Sequence, residues 1–175
     1  MNCEFRGNSV QYHGGAVSAS GGKTNISHCA FVANNAGSTS AALYAGGAAG
    51  GSTYHLNLTN SIFASNTGPN ALNIAVASSL VSGNLLQQEV DGSAQCFVER
   101  TPFVDVATGN LQLRATSRGI DLGTPAGILH DLTDMDGDGD SDEPLPLTFD
   151  GHPRPPESAD SGLFEFVNSP PTALA

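Results

Sequence analysis

The chain has 175 residues, enough for one sizeable core, and carries a formal charge of -11, with 6 Lys and Arg against 17 Asp and Glu. So few cations leave no electrostatic footprint for a phosphate backbone or an anionic membrane surface, which argues against a nucleic-acid partner. No apolar run is long enough to cross a bilayer, and no basic region precedes an apolar one as in a signal peptide, so no membrane insertion is expected from these residues.

From the N-terminus the charge is unevenly spread: residues 1 to 88 hold only Glu4 as an acid and only Arg6 and Lys23 as bases. Glycine is abundant and tryptophan absent, and Asn, Ser, Thr and Ala separate short apolar pairs. This argues against amphipathic helices and for short strands joined by turns. Met1 runs directly into patterned sequence, so the start reads as cut rather than capped, with any secretion signal upstream or already removed.

Self-similarity is the leading signal. Cys3-Glu-Phe-Arg-Gly-Asn8, Cys29-Ala-Phe-Val-Ala-Asn34 and Ser61-Ile-Phe-Ala-Ser-Asn66 share one pattern, and Ser79-Leu-Val-Ser-Gly-Asn84 reads as a weaker fourth copy. The copies start at residues 3, 29, 61 and 79, an irregular period within the range of one solenoid coil. Gly14-Gly15-Ala16-Val17 and Gly46-Gly47-Ala48 supply tight turns followed by small or β-branched inward residues. Ile26, Leu56 and Leu58 sit among polar neighbours at a period of two, as a half-buried strand requires.

One coil of this kind cannot bury its own apolar face, so Phe5, Phe31 and Phe63 are expected to stack at the ~4.8 Å spacing of parallel strands. Asn8, Asn34 and Asn66, with Asn84 as a fourth member, should then form an amide ladder at a turn. The expected fold is all-β, a right-handed parallel β-helix (a single-stranded solenoid) over residues 1–99. An irregular C-terminal capping segment over 100–175 packs with it as one domain.

Alternating Phe-x-x-Asn (5 to 8, 31 to 34, 63 to 66) with Gly-Gly-Ala-Val at 14 to 17 resembles the repeats of polymorphic outer-membrane adhesins and related pectate-lyase-like β-helices. Beyond residue 100, Thr101-Pro-Phe-Val-Asp105, Gly109-Asn-Leu-Gln-Leu-Arg114, Gly119-Ile-Asp121, Phe149-Asp-Gly-His-Pro-Arg154 and Asp160-Ser-Gly-Leu-Phe-Glu-Phe166 follow one another. That order is similar to the closing segment of bacterial surface proteins called choice-of-anchor Q proteins, with departures at Ser117-Arg118 and in the tail, where Val167 to Ala175 hold no recognisable anchor. The two resemblances imply a secreted or cell-surface bacterial protein. Leu111, Leu113, Leu163, Phe164 and Phe166 are the candidates to cover the end of the last coil, whose strand edges would otherwise stand open.

The acidic loop 134–143 carries carboxylates at alternate positions with glycines between them. Asp134, Asp136, Asp138, Asp140 and Asp142 can converge on one hard cation, as in Asp-x-Asp-x-Asp-Gly loops, so structural Ca²⁺ is the expected cofactor. Leu145 stands where an EF-hand has its bidentate glutamate, so the loop is not an EF-hand. The competing reading is a solvated acidic linker held open by self-repulsion.

Catalytic residues are not expected. Polysaccharide-cleaving β-helices need clustered acids with Arg or Lys on one sheet, and the repeats offer only Glu4 and Arg6, read as an ordinary surface pair. His13, His28 and His55 share no motif spacing and read as turn or stack residues. Cys3, Cys29 and Cys96 match no zinc motif and read as small core residues, a Cys3 to Cys29 disulfide being the alternative. Asn25-Ile-Ser27 and Asn57-Leu-Thr59 are glycosylation sequons that matter only in a eukaryotic secretory host.

What remains is a face rich in Ser, Thr, Asn and Gly, with Tyr12, Tyr44 and Tyr54 near its turns, suited to hydroxyl-rich ligands. The expected function is therefore a non-catalytic extracellular module, adhesin-like or glycan-contacting, whose partner is a polysaccharide or a surface protein. The alternatives are the terminal fragment of a polysaccharide lyase or hydrolase, and a structural spacer. An open first coil with a bare Phe5 further predicts a homodimer through residues 1 to 20.

Overall fold

The computed structural model describes residues 1–46, 54–69, 72–75, 78–87, 96–124, 139, 148–152, 154–155 and 157–167. Short runs of alternating or β-branched residues between glycine and asparagine turns give an all-β fold, with no helix among the described residues. The first repeat holds β1 (Glu4–Arg6), β2 (Ser9–Val10), β3 (Val17–Ser20) and β4 (Gly22–Ser27). The second holds β5 (Ala30–Val32), β6 (Asn35–Ala36), β7 (Leu43–Gly46) and β8 (Tyr54–Thr59). The third holds β9 (Ile62–Ala64), β10 (Leu72–Ala75) and β11 (Ser78–Ser82), after which come β12 (Leu85–Leu86) and β13 (Phe97–Val98). A hairpin of β14 (Phe103–Asp105) and β15 (Asn110–Leu113) begins the closing segment.

Equivalent strands of successive repeats pair in parallel. A five-stranded sheet runs β1-β5-β9-β12-β13, and three-stranded sheets run β10-β7-β3 and β11-β8-β4. Registers are in phase: Phe5 faces Phe31 and Phe31 faces Phe63, while Ile26 faces Leu58 and Leu58 faces Val81. The phenylalanine rings stack as the repeat requires, with centroids 4.7 Å apart from Phe5 to Phe31 and 4.5 Å from Phe31 to Phe63, nearly coplanar at 9° and 3°.

The amide ladder is present with one change of membership. Asn8 Nδ2 donates to Asn34 Oδ1 at 2.9 Å, and Asn34 Nδ2 to Asn66 Oδ1 at 2.9 Å. The next acceptor is Gln87 Oε1, 3.0 Å from Asn66 Nδ2, rather than Asn84. Asn84 stands at the opposite end of the strand, where its Oδ1 accepts from Ser61 N at 2.8 Å. The fourth copy is thus out of phase: Leu85 pairs with Ile62, so Leu86 continues the aromatic column and Val81 belongs to the sheet of Leu58. The chain is shorter at this repeat, and the longer Gln87 side chain spans what asparagine spans elsewhere.

Three turn columns need a left-handed backbone. Asn2, His28, Asn60 and Gly83 form one with φ of 49, 49, 50 and 65; Gly7, Ala33 and Ser65 form another with φ of 64, 54 and 58; and Gly14 and Ser40 form the third with φ of 64 and 59. Ala33 and Ser65 occupy a conformation that glycine or asparagine takes at less cost.

β5 and β9 are buried on both faces. Inward, Phe31, Phe63, Leu43, Leu56, Leu58 and Leu86 share one core with half-buried Phe5 and Val17. Outward, Ala30, Val32, Ile62, Ala64 and Leu85 form a second core with Phe103, Leu111, Leu113 and Leu163. Leu111, Leu113 and Leu163, expected across the end of the stack, therefore lie along its flank on the outer face of the five-stranded sheet. That position explains why β5 and β9 read as continuous apolar runs, as strands covered on both faces do.

The closing segment is also pinned to the first turn column. Gly162 N donates to Asn60 O at 2.8 Å, Thr124 N to Asn60 Oδ1 at 2.8 Å, and Ser161 Oγ to Gly83 O at 2.6 Å. Arg154, 1% exposed at its side chain, pairs with Glu165 at 2.7 Å and donates to Gly162 O at 2.8 Å and Asn2 Oδ1 at 3.5 Å. Asp160 Oδ1 accepts from Asp121 N at 2.8 Å, and Asp160 also accepts from Phe166 N. Burial pushes the carboxyls of Asp160 and Glu165 up and the Arg154 guanidinium down, each partly offset by its neighbours in the cluster.

Candidate functional site

Leaving β2, the chain exposes two rings in succession. His13 forms a parallel bridge to Thr39 and brings its Nδ1 within 2.7 Å of Thr39 Oγ1. Its ring stacks on Tyr44 of β7 at 5.0 Å and 24°, while Tyr12 tilts against it at 6.4 Å and is 64% exposed. Gly46, two residues along β7, leaves room for the tyrosine: a Cβ there would collide with the Tyr44 ring. Tyr12, Tyr44 and His13 thus make an aromatic step at one corner, whereas the side chain of Tyr54 lies outside the described residues.

Polar ladders run along the outside of the repeats. Asn57 Nδ2 donates to Asn25 Oδ1 at 2.8 Å, so the two sequons stand one above the other. On another flank Asn35 Nδ2 donates to Ser9 Oγ at 3.2 Å and Thr67 Oγ1 to Asn35 Oδ1 at 3.1 Å. The last rung opens into a cleft of about 510 Å³ lined by Ser65, Asn66, Thr67, Gln87 and Arg100. A second cavity, of about 340 Å³, lies in the closing segment between Thr148, Asp150, His152, Phe164 and Glu165. There His152 Nδ1 is 3.3 Å from Asp150 Oδ1, and a hydrogen bond from the Thr148 hydroxyl, with a lesser one from His152, holds the Asp150 carboxyl below its ordinary range.

Glu4 and Arg6 form an ion pair at 2.9 Å, each side chain about one-third exposed. Arg6 Nη2 also donates to Val106 O at 2.8 Å, so the guanidinium ties β1 to the closing segment. Above them in register come Ala30 and Val32, which carry no charge.

The histidines separate by burial. His28 is buried, with Nδ1 2.9 Å from Ser27 Oγ and Nε2 3.2 Å from Asn60 Nδ2; desolvation, followed by Arg154 nearby, lowers its pKa to about 3. A neutral imidazole at physiological pH is the consequence. His55 is exposed on β8, level with Lys23 and Ser78. No cysteine is in a disulfide: Cys29 is in the core, Cys96 is half-buried, and Cys3 is exposed rather than core.

The metal candidates Asp134, Asp136, Asp138, Asp140 and Asp142 lie outside the described residues; Gly139 among them has a left-handed φ of 92. Among the described residues no group of three or more His, Cys, Asp or Glu is gathered as metal ligands would be.

No family model, curated protein or solved structure matches this chain. The tyrosines stand out in the sequence, whereas Gln87 does not, because the out-of-phase copy at Ser79 to Asn84 offers Asn84 for the place that Gln87 takes, and Arg100 belongs to no repeat.

Proposed function

We propose that the chain is a right-handed parallel β-helix of the kind its repeats resemble, and that it works as a non-catalytic, adhesin-like or glycan-contacting module outside the cell. In-phase parallel pairing, the phenylalanine column and the amide ladder support the first part. The second rests on the aromatic step of Tyr12, His13 and Tyr44 standing beside uncharged hydroxyl and amide ladders. Exposed ring faces pack on the apolar C–H faces of sugars while flanking hydroxyls and amides meet their hydroxyl groups. The acidic loop through Asp134, Asp136, Asp138, Asp140 and Asp142 would hold Ca²⁺ for order rather than for chemistry.

The test is incubation with plant, algal and bacterial polysaccharides, with and without calcium, scoring retained protein and newly formed reducing or unsaturated ends. Retention without new ends, weakened about tenfold by Tyr12→Ala (about 1.4 kcal/mol), is the expected outcome. New chain ends would replace this reading with a lyase or hydrolase, and no retention by any glycan would leave a spacer or a protein partner.

A further inference from the structure

We propose that the cleft beside Arg100 is an anion-accepting subsite of this surface, taking the carboxylate or sulfate ester of an acidic sugar; the proposal rests on the glycan-contacting reading above. The chain spends its other arginines on itself. Arg6 is on Glu4 and Val106 O, Arg114 Nε on Phe103 O at 2.7 Å, Arg118 over the Phe97 ring at 4.2 Å, and Arg154 on Glu165. Arg100 is exposed, and among the described residues no ion pair or hydrogen bond engages its guanidinium. The adjacent carboxylate, Glu99, is committed elsewhere, accepting from Ser117 Oγ at 3.0 Å and Arg118 N at 2.9 Å.

The walls suit a sugar better than a bare ion. Gln87 is locked, its Oε1 accepting from Asn66 N and Nδ2 at 2.8 and 3.0 Å and its Nε2 donating to Asn66 O at 2.8 Å, so the floor is rigid. Thr67 has donated its hydroxyl proton to Asn35 and retains lone pairs for a ligand hydroxyl, and the exposed Ser65 turn adds a second hydroxyl. No carboxylate stands among the described lining residues. A planar guanidinium fork matches a carboxylate or sulfate with two parallel hydrogen bonds. The cleft also continues the Ser9, Asn35, Thr67 flank, whose ~4.8 Å rungs give an extended glycan a line of approach.

Calorimetric titration of the whole chain with three oligosaccharides tests this: a uronate oligomer, a sulfated galactan oligomer and a neutral glucan oligomer. One acidic probe should bind at least tenfold more tightly than the neutral one, and which one does so identifies the oxyanion. Arg100→Gln should erase that preference, and Ser65→Gly, which keeps the left-handed turn, should weaken binding severalfold without changing salt dependence. Equal binding of all three, with Arg100→Gln silent and Tyr12→Ala weakening it, would overturn the subsite and leave the glycan-contacting reading standing. Acidic-probe binding that requires calcium and survives Arg100→Gln would overturn it in favour of the acidic loop. Binding of none would overturn both.

Discussion

Acid should loosen this protein through His28. The imidazole is neutral in the folded state because burial beneath Asn60 and the closing segment lowers its pKa from 6.5 to about 3. In the unfolded chain it is solvated and takes up a proton near pH 6.5. Between these values the unfolded state binds more protons, so stability is fully present above pH 6.5 and falls as pH drops towards 3. Each pH unit in that window removes about 1.4 kcal/mol, so going from pH 7 to pH 5 costs about 2 kcal/mol, a large share of an ordinary domain's stability. Asp160 and Glu165 titrate the other way, because their raised pKa values let the folded state hold protons that the unfolded state has released.

A substitution that removes only the imidazole isolates the effect. His28→Asn is suited to it, since Asn2 and Asn60 hold the same left-handed conformation one repeat either side, with φ of 49 and 50. Urea unfolding followed by far-UV circular dichroism at several pH values between 7 and 4.5 should show the original protein losing about 2 kcal/mol relative to the variant by pH 5. Contributions of Asp160 and Glu165 are common to both proteins and cancel. A difference that stayed constant across the range would refute the buried neutral histidine.

Ala33→Gly should stabilise the fold by about 0.5–1 kcal/mol, because relief of the left-handed alanine outweighs the extra backbone entropy of glycine; a lower urea midpoint would contradict it. Asn34→Ala, which strips the centre of the amide ladder and orphans Phe5 O and the Asn8 amide, should cost about 2–3 kcal/mol by the same assay. Phe31→Ala should cost about 3–5 kcal/mol, since that ring is buried and stacked on both sides. Millimolar calcium should raise the melting temperature by about 5–10 °C if it stands at 100 times the dissociation constant; a melt unmoved by calcium or chelator would remove the metal. If β1 pairs with a second copy, light scattering should show dimers at high concentration and not after Phe5→Asp.

How far the sequence could be read depended on where the physics repeats. Phe5, Phe31 and Phe63 recur with their asparagines because each rung imposes the same requirement, so column, ladder and strand direction were legible. The fourth copy was not, since Leu86 and Gln87 satisfy the same two requirements with different residues while Ser79 to Asn84 mimics the motif out of phase. Left-handed turns at Ala33 and Ser65 carry no glycine or asparagine to announce them. The second core was hidden for another reason: Ala30, Val32, Ile62 and Ala64 are common on strands whether or not something covers them, and the distant Phe103, Leu111, Leu113 and Leu163 decide that they are buried.

That second core bears on function. A sheet covered outside by the closing segment cannot be the surface that meets a ligand, so Glu4 and Arg6 on its outer face are poor candidates, and Arg6 is already engaged by Val106 O. Exposed or half-buried polar and ring side chains stand on the other flanks: the rings of Tyr12, His13 and Tyr44, the ladder of Ser9, Asn35 and Thr67, and, on the sheet of β4 and β8, Lys23, His55 and the Asn25–Asn57 pair. The closing segment therefore does two things at once. It holds the repeats through hydrogen bonds to Asn60 and Gly83 and a shared apolar face, and by covering β5 and β9 it leaves the glycan contact proposed above to the uncovered polar flanks.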